Sequence, residues 1–192
     1  AVAGSSEFKR CTLELGGCDP FVLMKGTDLK AAVRALGGTR FYNAGQVCVA
    51  PKRLIIERSV MDETVDLLQE RLKRVVLGNS EVTPSASMGP LHTFASRARL
   101  LEQIEDAVNH CATQIGARVP DGEEFAAGPY LEPGLLVDPS PSARVRVEET
   151  FGPVLTVIPF DSDDEAIQIA NETPFGLGAS VWGPDMDRCM NI

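Results

Sequence analysis

Short apolar runs alternate along this chain with longer segments whose apolar residues fall at helical spacing, and that alternation limits the fold more than any other feature. The runs are PFVLM (20–24), RLIIE (53–57), PVLTVIPF (153–160) and LGASVWG (177–183), with CTLEL (11–15) and LLV (135–137) as shorter candidates. Such short apolar runs, several of them carrying β-branched or aromatic residues beside turn formers, read as strands. Between them, 27–36 puts Leu29, Ala32, Val33 and Leu36 on one face behind Thr27 as N-cap. Gly37-Gly38 weakens this helix, which can still run toward Tyr42. Val60, Thr64, Leu67, Leu68, Leu72 and Val75 form a second stripe, behind a capping pattern at Ser59 and Asp62. Residues 94–116 read as one helix, with Leu100, Leu101, Ile104, Ala107, Val108 and Cys111 on one side and Gly116 as its stop. Residues 161–171 read as another, its acidic first turn suiting the helix dipole. Strands alternating with helices of this length predict an α/β fold: an open, mostly parallel sheet covered by helices.

At 192 residues the chain can bury a proper core as one domain, or one and a half. Its net charge of −9, with no basic stripe interleaved with aromatics, argues against nucleic acid or an anionic membrane as partner. That balance suits cytoplasmic solubility. No apolar run approaches the roughly 18 residues of a membrane span, and the N-terminal residues do not read as a signal peptide. Both ends read as cuts through a longer polypeptide. The five cysteines are odd in number and widely spaced, with no C-x-x-C pair and only His92 and His110 nearby in type, which argues against a disulfide framework or a zinc site. Cys11, Cys18, Cys111 and Cys189 read as ordinary reduced thiols.

Three segments can carry chemistry. In NAGQVC (43–48), Cys48 follows small residues that leave room for a substrate, with Ala50 just beyond. A thiolate nucleophile needs such access, together with a base or backbone N–H groups for the oxyanion it creates. A buried structural cysteine fits the same stretch. In LELGG (13–17), Glu14 sits at an apolar strand end before two glycines, a setting that would raise a carboxylate toward general-base use, although the exposed member of an alternating strand reads the same way. EETFGPV (148–154) pairs two acids with an aromatic, a glycine and a proline; a solvated acidic turn is its plainest interpretation.

LELGG, NAGQVC and EETFGPV, in this order, resemble the aldehyde dehydrogenase superfamily. AGSSEFKR (3–10), MGPL (88–91) and TPFGLGASVW (173–182) extend the similarity over essentially the whole chain. The resemblance implies the catalytic domain of that family over 1–192 and an NAD(P)-dependent oxidation of a small aldehyde to its acid. By the same resemblance Cys48 is the nucleophile, passing through a thiohemiacetal and a thioester, and its N–H forms half of the oxyanion hole. Glu14 matches the base that activates the hydrolytic water. Glu149 matches the carboxylate for the nicotinamide ribose, Phe151 the aromatic beside the ring, and Leu15 and Gly16 the backbone next to its amide.

The family's N-terminal cofactor domain, the asparagine completing the oxyanion hole and the C-terminal oligomerisation arm find no match within 1–192. The expectation is therefore a truncated domain of an enzyme that is a homodimer or homotetramer using NAD or NADP. A non-catalytic folding or interaction unit and a CoA-acylating relative are the alternatives, Glu14 favouring hydrolysis over transfer to CoA. The surroundings of the first two motifs are similar to the succinate-semialdehyde branch, although Tyr42 stands where some of that branch carry a carboxylate-binding arginine. Val49 is not a second cysteine, which removes a neighbouring-disulfide switch.

Overall fold

The computed structural model describes residues 10 and 12–192. Six strands, β1 (Pro20–Leu23), β2 (Arg53–Glu57), β3 (Thr113–Gly116), β4 (Gly134–Val137), β5 (Val154–Phe160) and β6 (Ser180–Trp182), form one sheet in the order β3-β4-β5-β2-β1-β6. Only the β3–β4 pair is antiparallel, so the predicted open, mostly parallel sheet is present. Five helices accompany it among the described residues: α1 (Leu29–Arg40), α2 (Met61–Leu72), α3 (Phe94–Asn109), α4 (Asp163–Ala170) and α5 (Met186–Met190).

The inner strands β1, β2, β4 and β5 are largely apolar because both faces of the sheet are covered there, whereas the edge strands β3 and β6 are more exposed. The register pairs Phe21 with Leu54 and Leu54 with Val157, and these face Ala32, Val33, Leu36, Val65, Leu68, Leu100 and Ile104 of α1, α2 and α3. One residue along, Val22, Ile55 and Ile158 point the other way, against Ala166 and Ile169 of α4. Each Val, Leu, Ile or Phe side chain taken out of water here contributes about 1.5–3 kcal/mol, and that sum rather than helix propensity holds the layers together. No helix among the described residues is long and apolar enough to cross a membrane.

Four expectations need correction. The strand over 11–15 is absent from 12–15: these residues form no strand, and Leu13 and Leu15 are 56% and 69% exposed, while Cys11 lies outside the described residues. Alternation alone does not make a strand where no neighbouring backbone offers a ladder. The helix over 94–116 ends at Asn109; Cys111 adopts φ 70°, and Thr113–Gly116 then pairs with β4. A partner strand outweighs local helical spacing there, and Val108 and Cys111 fall outside the core. The cap of α1 is Asp28, whose carboxylate accepts from the Ala31 N–H at 3.0 Å, and not Thr27. Helix α2 begins after Val60 without a side-chain cap, so Ser59 does not serve.

The lead-in segments matter most for function. Strands β5, β2, β1 and β6 are adjacent and mutually parallel, so the segments entering them, which include 12–19, 41–52, 147–153 and 173–179, converge at one end of the sheet. That end is the amino end of the strands, opposite to where open α/β sheets ordinarily place ligands.

Candidate active site

A cleft of about 710 Å³ opens at this convergence. Glu14, Leu15 and Gly16 line it from the lead-in to β1, Gln46, Val47 and Cys48 from the lead-in to β2, and Glu148, Glu149 and Phe151 from the lead-in to β5. Phe175 and the α3 residues Ser96, Arg99, Leu100 and Gln103 complete the wall. The structure thus brings together Cys48, Glu14, Glu149, Phe151, Leu15 and Gly16, the residues singled out by sequence. Tyr42 lies elsewhere, 71% exposed beside a separate hollow with Gly38 and Arg71. Glu14 is solvent-exposed, so the apolar strand end expected around it does not exist.

The Cys48 loop is shaped by a left-handed turn. Asn43, Ala44 and Gly45 have φ of 51°, 53° and 72°. A β-carbon at Gly45 would run into the Gly152 carbonyl, so this glycine also permits two loops to touch. Within the turn the Asn43 amide donates to the Gln46 carbonyl at 3.2 Å and the Gln46 amide returns to the Asn43 carbonyl at 3.1 Å. Gln46 Oε1 accepts from the His92 N–H at 2.8 Å, anchoring the turn to the MGPL segment. The turn leaves Cys48 half-buried at the cleft with a free thiol.

Beneath the loops lie buried cations that sequence reasoning missed. Arg40 is fully buried and donates from Nε to the Val154 carbonyl at 2.8 Å and from Nη2 to the carbonyls of Thr150, at 2.7 Å, and Gly152. It also reaches the Gly45 carbonyl at 3.4 Å, so one guanidinium joins the loops carrying Cys48 and Glu149. Burial pulls it down to about 9, which still leaves it protonated at neutral pH. The ammonium of Lys52, likewise buried, donates to the Val47 carbonyl at 2.9 Å and to the Cys48 carbonyl, and lies 3.3 Å from Glu149 Oε1. Burial, and Arg40 nearby, pull Lys52 below the usual lysine range, while Glu149 opposes them.

The two adjacent acids are held differently. Glu148 takes bonds from Arg144 at 2.9 and 3.0 Å and from Gln103 at 3.0 Å, and the Arg144 bonds hold it below the usual carboxylate range. Glu149 Oε1 accepts the Gly17 N–H at 3.1 Å beside Lys52, while a β-carbon on Gly16 would collide with its Oε2. At Gly17 a β-carbon would stand 2.7 Å from the Cys48 carbonyl. The glycine pair of LELGG therefore threads between Cys48 and Glu149 because neither position has room for a side chain. Among the described residues no group of three or more His, Cys, Asp and Glu side chains could hold a metal ion.

Fold and cleft together define an α/β protein with an accessible thiol and carboxylates gathered at the amino ends of parallel strands. The model of the aldehyde dehydrogenase family matches residues 1–192, and the chain belongs to that family. It is 36% identical over 191 residues to betaine aldehyde dehydrogenase of Bacillus subtilis, covering 99% of this chain and 39% of that protein. It is also 36% identical to an NADP(+) succinate-semialdehyde dehydrogenase of Deinococcus radiodurans, covering 96% and 38%. Among solved structures it resembles betaine aldehyde dehydrogenase from Staphylococcus aureus in complex with NAD+, with a TM-score of 0.86 at 32% identity over 93% of this chain and 35% of that one. The chain thus spans about two fifths of the length of the curated relatives it matches, 39% and 38% for these two.

Proposed function

We propose that this chain is the catalytic part of an NAD(P)-dependent aldehyde dehydrogenase acting on a small aldehyde. The observation that carries this reading is the convergence of Cys48, Glu14 and Glu149, from three separate lead-ins, on one cleft in a chain of this family. The Cys48 thiolate attacks the carbonyl carbon and forms a thiohemiacetal. The Cys48 N–H, facing the same carbonyl, stabilises the developing oxyanion. A bound nicotinamide supplies the hydride acceptor. After hydride loss Cys48 carries a thioester, and Glu14, from the exposed lip of the cleft, takes a proton from the water that hydrolyses it.

The residues fit such a cofactor. Glu149 is fastened to the protein through Oε1, and Oε2 lies against Gly16, where a β-carbon would fill the space. A carboxylate with one oxygen held and the other turned to a side-chain-free strip suits a ribose diol, and Phe151, 44% exposed on the wall, offers a flat face for a nicotinamide ring. The equal identity to a betaine aldehyde and a succinate-semialdehyde enzyme leaves the substrate at the level of small aldehydes.

The test uses the protein at its full natural length. Cys48→Ala abolishes turnover, and wild-type steady-state turnover in that variant would overturn the assignment. Glu14→Gln keeps a rapid first turnover of cofactor reduction but slows the steady state on the order of a hundredfold, because only deacylation needs the base.

A further inference from the structure

Lys52 takes no part in the chemistry above, yet its side chain is fully buried at the junction of two loops that do. An ammonium has three N–H donors. Here the Val47 carbonyl, the Cys48 carbonyl and Glu149 Oε1 account for all of them. Two of these acceptors belong to the loop that carries Cys48 and the third is the carboxylate across the cleft. Enclosing an ion in this way costs stability that an apolar side chain of the same length would not, so packing alone does not explain a lysine here. The carboxylate is correspondingly constrained: Oε1 takes Lys52 and the Gly17 N–H together, at 3.3 and 3.1 Å, and Oε2 is left toward Gly16.

We infer that Lys52 is a positioning residue that clamps the Glu149 carboxylate to the backbone of Cys48, holding the cofactor-facing and aldehyde-facing groups in one register. The inference rests on the aldehyde dehydrogenase reading for what Glu149 and Cys48 face. The coupling itself rests only on the three contacts. It follows that a change at Glu149 is felt at Cys48 through Lys52, and that Lys52 affects cofactor binding only by way of Glu149.

A double-mutant cycle on the full-length protein tests this, with NAD and NADP affinities read by direct fluorescence titration, without turnover. Lys52→Met and Glu149→Gln should each weaken binding on the order of tenfold. The double variant should be within about threefold of Glu149→Gln alone, since coupled residues do not add. Multiplicative losses would overturn the inference, because Lys52 would then act on the fold at large. In parallel, alkylation of Cys48 by iodoacetamide is followed by mass spectrometry of its peptide. Glu149→Gln should change that rate by at least about threefold, and a rate equal to wild type overturns the clamp. This second arm decides alone if Lys52→Met fails to fold. A non-additive cycle in a protein that binds cofactor but oxidises no aldehyde would sink the functional reading and leave the clamp standing.

Discussion

Arg40 stands on the apolar stripe of α1, in step with Leu29, Val33 and Leu36, at a place where helical spacing calls for another aliphatic side chain. That misfit was the legible signal of a buried cation, and from that place Arg40 reaches four carbonyls, three in the two loops and one at the start of β5. Removing the guanidinium while leaving those acceptors enclosed should be severe. Arg40→Met is expected to cost about 3 kcal/mol or more in urea unfolding, since each enclosed acceptor left without a donor costs about 1–3 kcal/mol, and a loss under about 1 kcal/mol, the size of a minor surface change, would refute the role. Arg40→Lys should recover only part of it, because a single ammonium cannot fork to the same set. Lys52 carried no comparable signal. It precedes an apolar strand, beside Arg53, and reads there as one of two solvated charges; only the folding of 43–48 beneath 147–153 encloses it. Cys48 and Glu14 were legible as a pair only through the family motifs. The physical ground offered for Glu14, an apolar strand end, proved absent, since the residue is exposed.

At the scale of elements, the strands and most helices were readable because both depend on side-chain periodicity, which is local. Their ends were less so. The start of α1 turns on two neighbours: Asp28 caps the helix through Ala31, while the Thr27 hydroxyl donates to the carbonyls of Met24 at 2.8 Å and Trp182 at 3.2 Å. Asp28→Ala should therefore lower stability by about 1 kcal/mol in chemical denaturation, through loss of the cap. No change there would return the cap to Thr27. Residues 113–116 show the opposite limit. Their helical spacing is real, yet β4 presents a free edge and the segment becomes an antiparallel strand, a decision taken by a partner distant in sequence.

At the scale of the whole molecule, the acidic chain uses arginines to tie distant elements. Arg188 of α5 binds Asp163 at the start of α4 and approaches Glu57 of β2 at 3.4 Å, fastening the last helix across the sheet. The Arg188 hydrogen bonds hold Asp163 below its ordinary range. Its folded value thus lies below its unfolded one, so the stabilisation is present above the unfolded value and is lost as pH falls through the folded one. Arg188 is shifted upward and stays charged throughout, so Asp163 governs this window. Arg188→Gln should cost about 0.5–1 kcal/mol at neutral pH, as befits a partly exposed pair. The gap between variant and wild type should narrow in denaturant titrations as pH falls below about 4, the ordinary aspartate value; a gap unchanged in acid would contradict the pairing. Local pattern was enough to specify a doubly covered, mostly parallel sheet, because burial of both faces writes itself into uninterrupted apolar strands. The motifs of LELGG, NAGQVC and EETFGPV likewise carried the family. What they could not carry was the way four strand lead-ins meet at one end of the sheet, two of them pinned to each other by Arg40 and Lys52. The contacts that tie one lead-in to the other join residues far apart in the chain, 110 positions in the bond from Arg40 to Thr150, and Lys52, buried against such a partner, looks, along the chain, like any charge in water.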